Sequence, residues 1–213
     1  MSPEAWSAFA AWVVAISAGG AATAAFLGLS TWRSQLVFQT DHDLARRLLV
    51  EVYKFRDAVA AARSPFIWAS EMRSEPEESG SSLQTSKESH EGLVRAHQRR
   101  LNEFGVIRPQ LYALLLEAEA VWGADLSKLW RGLDRLQGEL ISQTQLYLEF
   151  SDPENSSAPE TAYYASKEAR AAGEKIVYSN GEAEGQNDFS NRFLAAFSRV
   201  EDYLRAKLGR SVK

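Results

Sequence analysis

Cysteine is absent from the 213 residues, which excludes disulfide frameworks, thiolate zinc sites and cysteine nucleophiles and fits a reducing compartment. Histidine is scarce: His42, His90 and His97 are the three present, and they lack the spacing of a helical two-histidine zinc motif. Glycine-rich phosphate loops and nucleophile elbows are missing. The carboxylate pairs Glu117/Glu119 and Glu182/Glu184 lie two positions apart, where side chains on a helix do not face a common substrate. Residues 180–188 carry Asn180, Asp188 and other polar groups, but not at the ligand spacing of a calcium loop. No metal, no cofactor and no catalytic residue is expected, and the chain reads as non-enzymatic. Alternating strand patterns are lacking as well, so the expected class is all-α.

The most consequential absence is of charge. From Ala5 to Trp32 no side chain carries a formal charge, and at about 1.5 Å per residue this run makes a helix of roughly 42 Å, longer than the ~30 Å hydrocarbon core of a bilayer. Its strongly apolar residues, Phe9, Val13, Val14, Ile16, Phe26, Leu27 and Leu29, favour insertion by only roughly 2 to 4 kcal/mol in total. Aromatic anchors strengthen the reading: Trp6 and Trp12 stand at one end, and Trp32 beside Arg33 at the other. Residues 1–32 are therefore expected to form a transmembrane anchor, with the span at about 9–29. Ala22-Thr23-Ala24 has the small residues of a signal-peptide cleavage site, but the preceding segment has Glu4 and no Lys or Arg, so a cleavable leader is disfavoured.

Basic residues follow the run at Arg33, Arg46, Arg47, Lys54 and Arg56. By the positive-inside rule they hold the remainder of the chain in the cytoplasm and leave the N-terminus outside. Arg33, Arg46 and Arg47 are also candidates for contact with anionic lipid headgroups. Inside the span, Gly20, Ala24 and Gly28 form a ladder of small residues on one helical face, suited to close packing against a second transmembrane helix. An alanine-rich helix also produces such ladders by composition, as at Ser17, Ala21 and Ala25. With a net charge of −4, nucleic acid is not an expected partner.

Beyond the anchor, residues 33–69 read as a juxtamembrane helical stalk. Leu44, Leu48, Val52, Phe55, Val59 and Ala62 recur at helical spacing, and Pro65 disfavours helix at Ser64. Residues 70–92, rich in Ser and Glu and without apolar periodicity, read as a disordered loop. Residues 93–213 read as a helical bundle domain. There Gly105 and Pro109 are expected to interrupt a helix beginning near Leu93. New apolar stripes follow at Leu111 to Trp122, at Leu126 to Tyr147 and at Phe189 to Leu208. Ser157 with Glu160 suggests a capping box for a helix ending near Tyr178, and Asp188 a cap for the last helix. Arg95, Arg99 and Arg100 read as a solvated face. Stripes this narrow must close on one another, so the stalk should pack within the bundle.

Several segments also point to kin. Trp32-Arg33-Ser34-Gln35-Leu36, Ala45-Arg46-Arg47-Leu48-Leu49, Tyr53-Lys54-Phe55-Arg56-Asp57-Ala58, Arg63-Ser64-Pro65-Phe66, Ile176-Val177-Tyr178 and Tyr203-Leu204-Arg205-Ala206-Lys207-Leu208 together resemble a group of uncharacterised bacterial single-span inner-membrane proteins with a helical cytoplasmic domain. The resemblance implies a bacterial inner-membrane setting and no activity. The expected function is a membrane-tethered adaptor or oligomerising scaffold whose partners are the lipid bilayer and a protein, itself included. The alternative is a membrane-acting effector, such as a toxin or defence component, that oligomerises through the transmembrane helix.

Overall fold

The computed structural model describes residues 38–73, 86–153, 167–179 and 187–209, together with Trp12, Gly20, Trp32 and Gln35, each of which is helical. Among them the fold is entirely helical: α1 over 38–62, α2 Ala69–Met72, α3 Ser86–Trp122, α4 Asp125–Ser151, α5 Lys167–Val177 and α6 Asp188–Leu208. No described helix is long and apolar enough to cross a membrane. The expected span at 9–29 lies outside the described residues except for Trp12 and Gly20.

Helices α1, α3, α4 and α6 make a four-helix bundle with antiparallel neighbours. Along α1, Asp41 meets Trp122, Arg47 meets Glu117 and Phe55 meets Phe104, so α3 runs opposite to it. On the other flank Tyr53 donates to Glu201 and Arg63 to Ser190, which makes α6 antiparallel to α1 as well. Helix α4 returns from α3 and pairs with α6, Glu139 facing Arg192.

The stalk stripe is a core stripe. Leu44, Leu48, Val52, Phe55, Val59 and Ala62 are all buried, joined by Ala45 and Ala58. Phe55 sits at the centre, its ring 5.0 Å from Trp130, 5.8 Å from Phe104 and 6.3 Å from Phe193. Each such side chain stabilises the fold by about 1.5–3 kcal/mol relative to exposure. From α6, Phe189, Phe193 and Phe197 stack in sequence at i, i+4 spacing. From α4 come Leu126, Trp130, Leu133, Leu136 and Leu140.

Several boundaries differ from expectation. Helix α3 runs through Gly105 and Pro109 without a break. Proline there removes the N–H that would bond the carbonyl of Gly105. Gly105 is exposed, so water can satisfy that oxygen, and burial of Phe104, Leu111, Leu114 and Leu115 on the inner face holds the helix together. The expected disordered loop at 70–92 contains α2 at one end and the first turns of α3 at the other; residues 74–85 between them lie outside the described set. A Cβ added to Gly92 would stand 3.0 Å from Met72 Cε and 3.2 Å from its Cβ, so glycine lets α2 lie close on α3.

Helix α3 ends at Gly123, whose φ of +80° is the left-handed turn that glycine adopts without penalty; its N–H bonds the carbonyl of Glu119 at 2.9 Å. The last helix is capped by Asn187, not Asp188: the Asn187 side chain accepts from Ser190 N at 3.1 Å, while Asp188 pairs with Arg192 one turn on. In α5 Gly173 and Val177 are buried and Ile176 packs against the core, while Ala172 is exposed. Ser157 and Glu160, the expected capping box, lie outside the described residues.

Candidate functional site

The residues expected to act at the membrane are only partly described. Ala24, Gly28, Trp6 and Arg33 lie outside the described set. Gly20 has open space around it, and Trp12 and Trp32 are exposed. Arg46 is exposed, whereas Arg47 is engaged with Glu117 at 3.0 Å. Glu119, the other member of that carboxylate pair, accepts from Ser127, so the two acids serve different neighbours. At this end of the bundle Trp122 Nε1 donates to Asp41 at 2.9 Å, and Lys207 Nζ lies 5.0 Å from the Trp122 ring and 5.4 Å from that of Tyr203.

Polar groups concentrate at the opposite end, where α1 stops. Arg63 is 5% exposed. Its guanidinium donates to the carbonyls of Ile176 at 2.8 Å and Lys175 at 2.9 Å and to Ser190 Oγ at 2.9 Å, and lies 4.5 Å from the Phe189 ring. A cation placed on the last carbonyls of α5 is stabilised by the negative end of the helix dipole. Burial pulls Arg63 down to about 10, far above neutrality, so it is charged. Ser179 N donates back to the Arg63 carbonyl, and Asn187 Nδ2 takes a second bond to Lys175 O. One side chain thereby joins the end of α1, the end of α5 and the start of α6.

Arg95, Arg99 and Arg100 are not a solvated face. Arg100 donates to both carboxylate oxygens of Glu71 and to the carbonyls of Ser64 and Phe66, while Arg99 takes the carbonyls of Ser70, Glu71 and Arg73. Arg95 reaches Met72 O. Short polar α2 cannot anchor itself by apolar burial, so three arginines satisfy its terminal carbonyls. Hydrogen bonds from Arg100 hold the Glu71 carboxyl below its usual range. Arg100→Ala is expected to cost about 2 kcal/mol and to open residues 64–73 to limited proteolysis; cleavage no faster than in the parent would refute that role. The arginines also fix an exposed tip bearing Phe66 and Trp68.

Beside this junction His97 is 1% exposed. It shares a hydrogen bond of 3.1 Å with the Tyr178 hydroxyl and packs against the Tyr147 ring. Burial, aided by the Arg100 charge, pushes His97 down to about 4, so it is neutral at pH 7. Burial also pushes the Tyr178 phenol up, with Tyr147 reinforcing the shift. His42 lies near Phe38 at the other end. Among the described residues no cluster of three or more His, Asp or Glu could hold a metal ion.

Two clefts remain. One of about 250 Å³ lies between the end of α4 and α5, bordered by Tyr147, Ser151, Arg170 and Glu174. The other, about 230 Å³, lies between α3 and α4; its Tyr112 and Ser127 hydroxyls already donate to Asp134 and Glu119. The polar junction is an assembly of helix ends. Arg63 and Arg100 were invisible to sequence patterning, since a cation that caps a distant helix leaves no periodic signal. Protein-family models, curated proteins and solved structures were compared with this chain, and none matches.

Proposed function

We propose that the chain is a single-pass membrane-tethered, non-enzymatic scaffold of the inner membrane, with its N-terminus outside and its helical bundle presented in the cytoplasm to a protein partner. What supports this reading is how near in sequence the uncharged run lies to the core. The uncharged run ends at Trp32, the described part of α1 begins at residue 38, and α1 is a central helix of the bundle. An anchor separated from a core helix by residues 33–37 alone would constrain how the bundle faces the membrane. Polar networks that join helix ends also suit a protein that works by holding shape.

Membranes from cells expressing the full chain provide the test. The protein is expected to stay in the pellet through alkaline carbonate washing, with a C-terminal reporter active only on the cytoplasmic side. Release into the supernatant, or a C-terminal reporter active outside, would sink the proposal.

A further inference from the structure

Helix α3 is apolar on two sides. Its inner face is buried in the bundle, yet Val106, Pro109, Ala113, Leu116 and Ala120 all lie exposed on the outer face, Val106 at 73% and Leu116 at 68%. These five residues recur at alternating steps of three and four, the spacing of a two-helix coiled-coil seam. A helix apolar on all sides is ordinarily covered on all sides. No other described helix covers this seam.

From these observations we infer that the outer seam of α3 pairs with the same seam of a second copy, in parallel and in register. Of the charges beside the seam, Arg108 pairs with Asp134 and Glu117 with Arg47, while Glu119 accepts from Ser127. In a parallel pair the flanking positions set Gly105 opposite Gln110 and Tyr112 opposite Glu117 of the second copy, without a like-charge encounter. A charged partner helix would gain nothing from this seam, whereas a second uncharged seam fits it. Ala113 and Ala120 allow the two helix axes to approach closely.

The seam is short, about 21 Å by about 10 Å, much less than the roughly 800 Å² per partner of a stable interface. Pairing is therefore weak in solution and depends on tethering, which raises the effective concentration to the order of mM. The parallel sense rests on the membrane reading: two copies leaving one membrane face in the same direction present α3 in the same direction.

Because the chain has no cysteine, single-cysteine variants of the full protein test this without background. In oxidised membranes Ala113→Cys and Ala120→Cys are each expected to form disulfide dimers, and Ala171→Cys, exposed on α5, to remain monomeric. Leu116→Lys added to Ala113→Cys should abolish the dimer while leaving the far-ultraviolet spectrum unchanged. If Ala113→Cys crosslinks no more than Ala171→Cys in membrane-embedded protein, the pairing is wrong and the scaffold reading survives. If Ala120→Cys crosslinks only when mixed with Val106→Cys, the pair is antiparallel and the inference is overturned. If the chain leaves the membrane on alkaline washing while Ala113→Cys and Ala120→Cys still self-crosslink, pairing stands and the membrane reading falls.

Discussion

Arg63→Ala is expected to lower the unfolding free energy of the detergent-solubilised full chain by about 3–4 kcal/mol, the range for removing one side of a buried charged network. Four groups lose a donor or a contact at once: Ile176 O, Lys175 O, Ser190 Oγ and the Phe189 ring. Alanine cannot reach any of them; Ile176 O would then face a cavity, while Lys175 O keeps only its bond from Asn187 Nδ2. Arg63→Lys separates charge from geometry. Lysine keeps the cation but not the planar fork that binds two carbonyls and a hydroxyl together, so it should recover less than half of the loss. Hydrogen exchange gives the spatial readout, since protection should fall first in α5 while α4 stays protected. Urea unfolding of Arg63→Ala within 1 kcal/mol of the parent would show that the junction contributes little.

Acid supplies the second large effect. His97 is held neutral to about pH 4 in the folded protein, whereas an exposed histidine titrates near 6.5. As pH falls through 6.5 the unfolded chain binds a proton that the folded chain refuses, so stability drops with acidification. The slope is about 1.4 kcal/mol per pH unit, accumulating to roughly 3 kcal/mol by pH 4. The carboxyls of Glu71 and Glu201, both held below their ordinary value, lose their contribution only at lower pH. The interval from 6.5 to 4.5 is thus the interval of His97. His97→Gln should flatten the stability profile between those limits; an equally steep profile in that variant would assign the acid sensitivity elsewhere. The packing of Tyr147 and Tyr178 around the ring predicts a loss at neutral pH as well, because glutamine fills the space less completely.

Much of the architecture was legible because it rests on burial. Leu44 to Ala62, Leu126 to Leu140 and Phe189 to Leu204 each repeat at helical spacing, and each stripe is buried. Where burial was not the deciding force, the reading failed. Gly105 and Pro109 read locally as an interruption between two helices, yet four buried residues on either side of Pro109 outweigh one missing hydrogen bond. Conversely, Arg95, Arg99 and Arg100 looked solvent-facing because no apolar pattern surrounds them, and their partners are backbone carbonyls that carry no sequence signature. The outer seam of α3 lay in plain sight at Val106, Ala113 and Ala120, but the stronger inner stripe of Leu111, Leu114 and Leu115 obscured it. Of Gly20, Ala24 and Gly28, proposed as an anchor contact, only Gly20 is among the described residues.

The place of α1 at the centre of the bundle also sets an order in time. The bond from Tyr53 to Glu201 spans 148 residues, and the Phe55 pocket is walled in part by Phe193. A ribosome making about 5–20 residues per second delivers α1 many seconds before α6 exists to cover it. Throughout that wait the apolar side of α1 has only α3 and α4 for shelter, and the half-built bundle exposes a trough shaped for the phenylalanines of α6. A nascent chain still attached to the ribosome cannot diffuse away while that trough is open. Among the described helices, the one synthesised last, α6, closes the core.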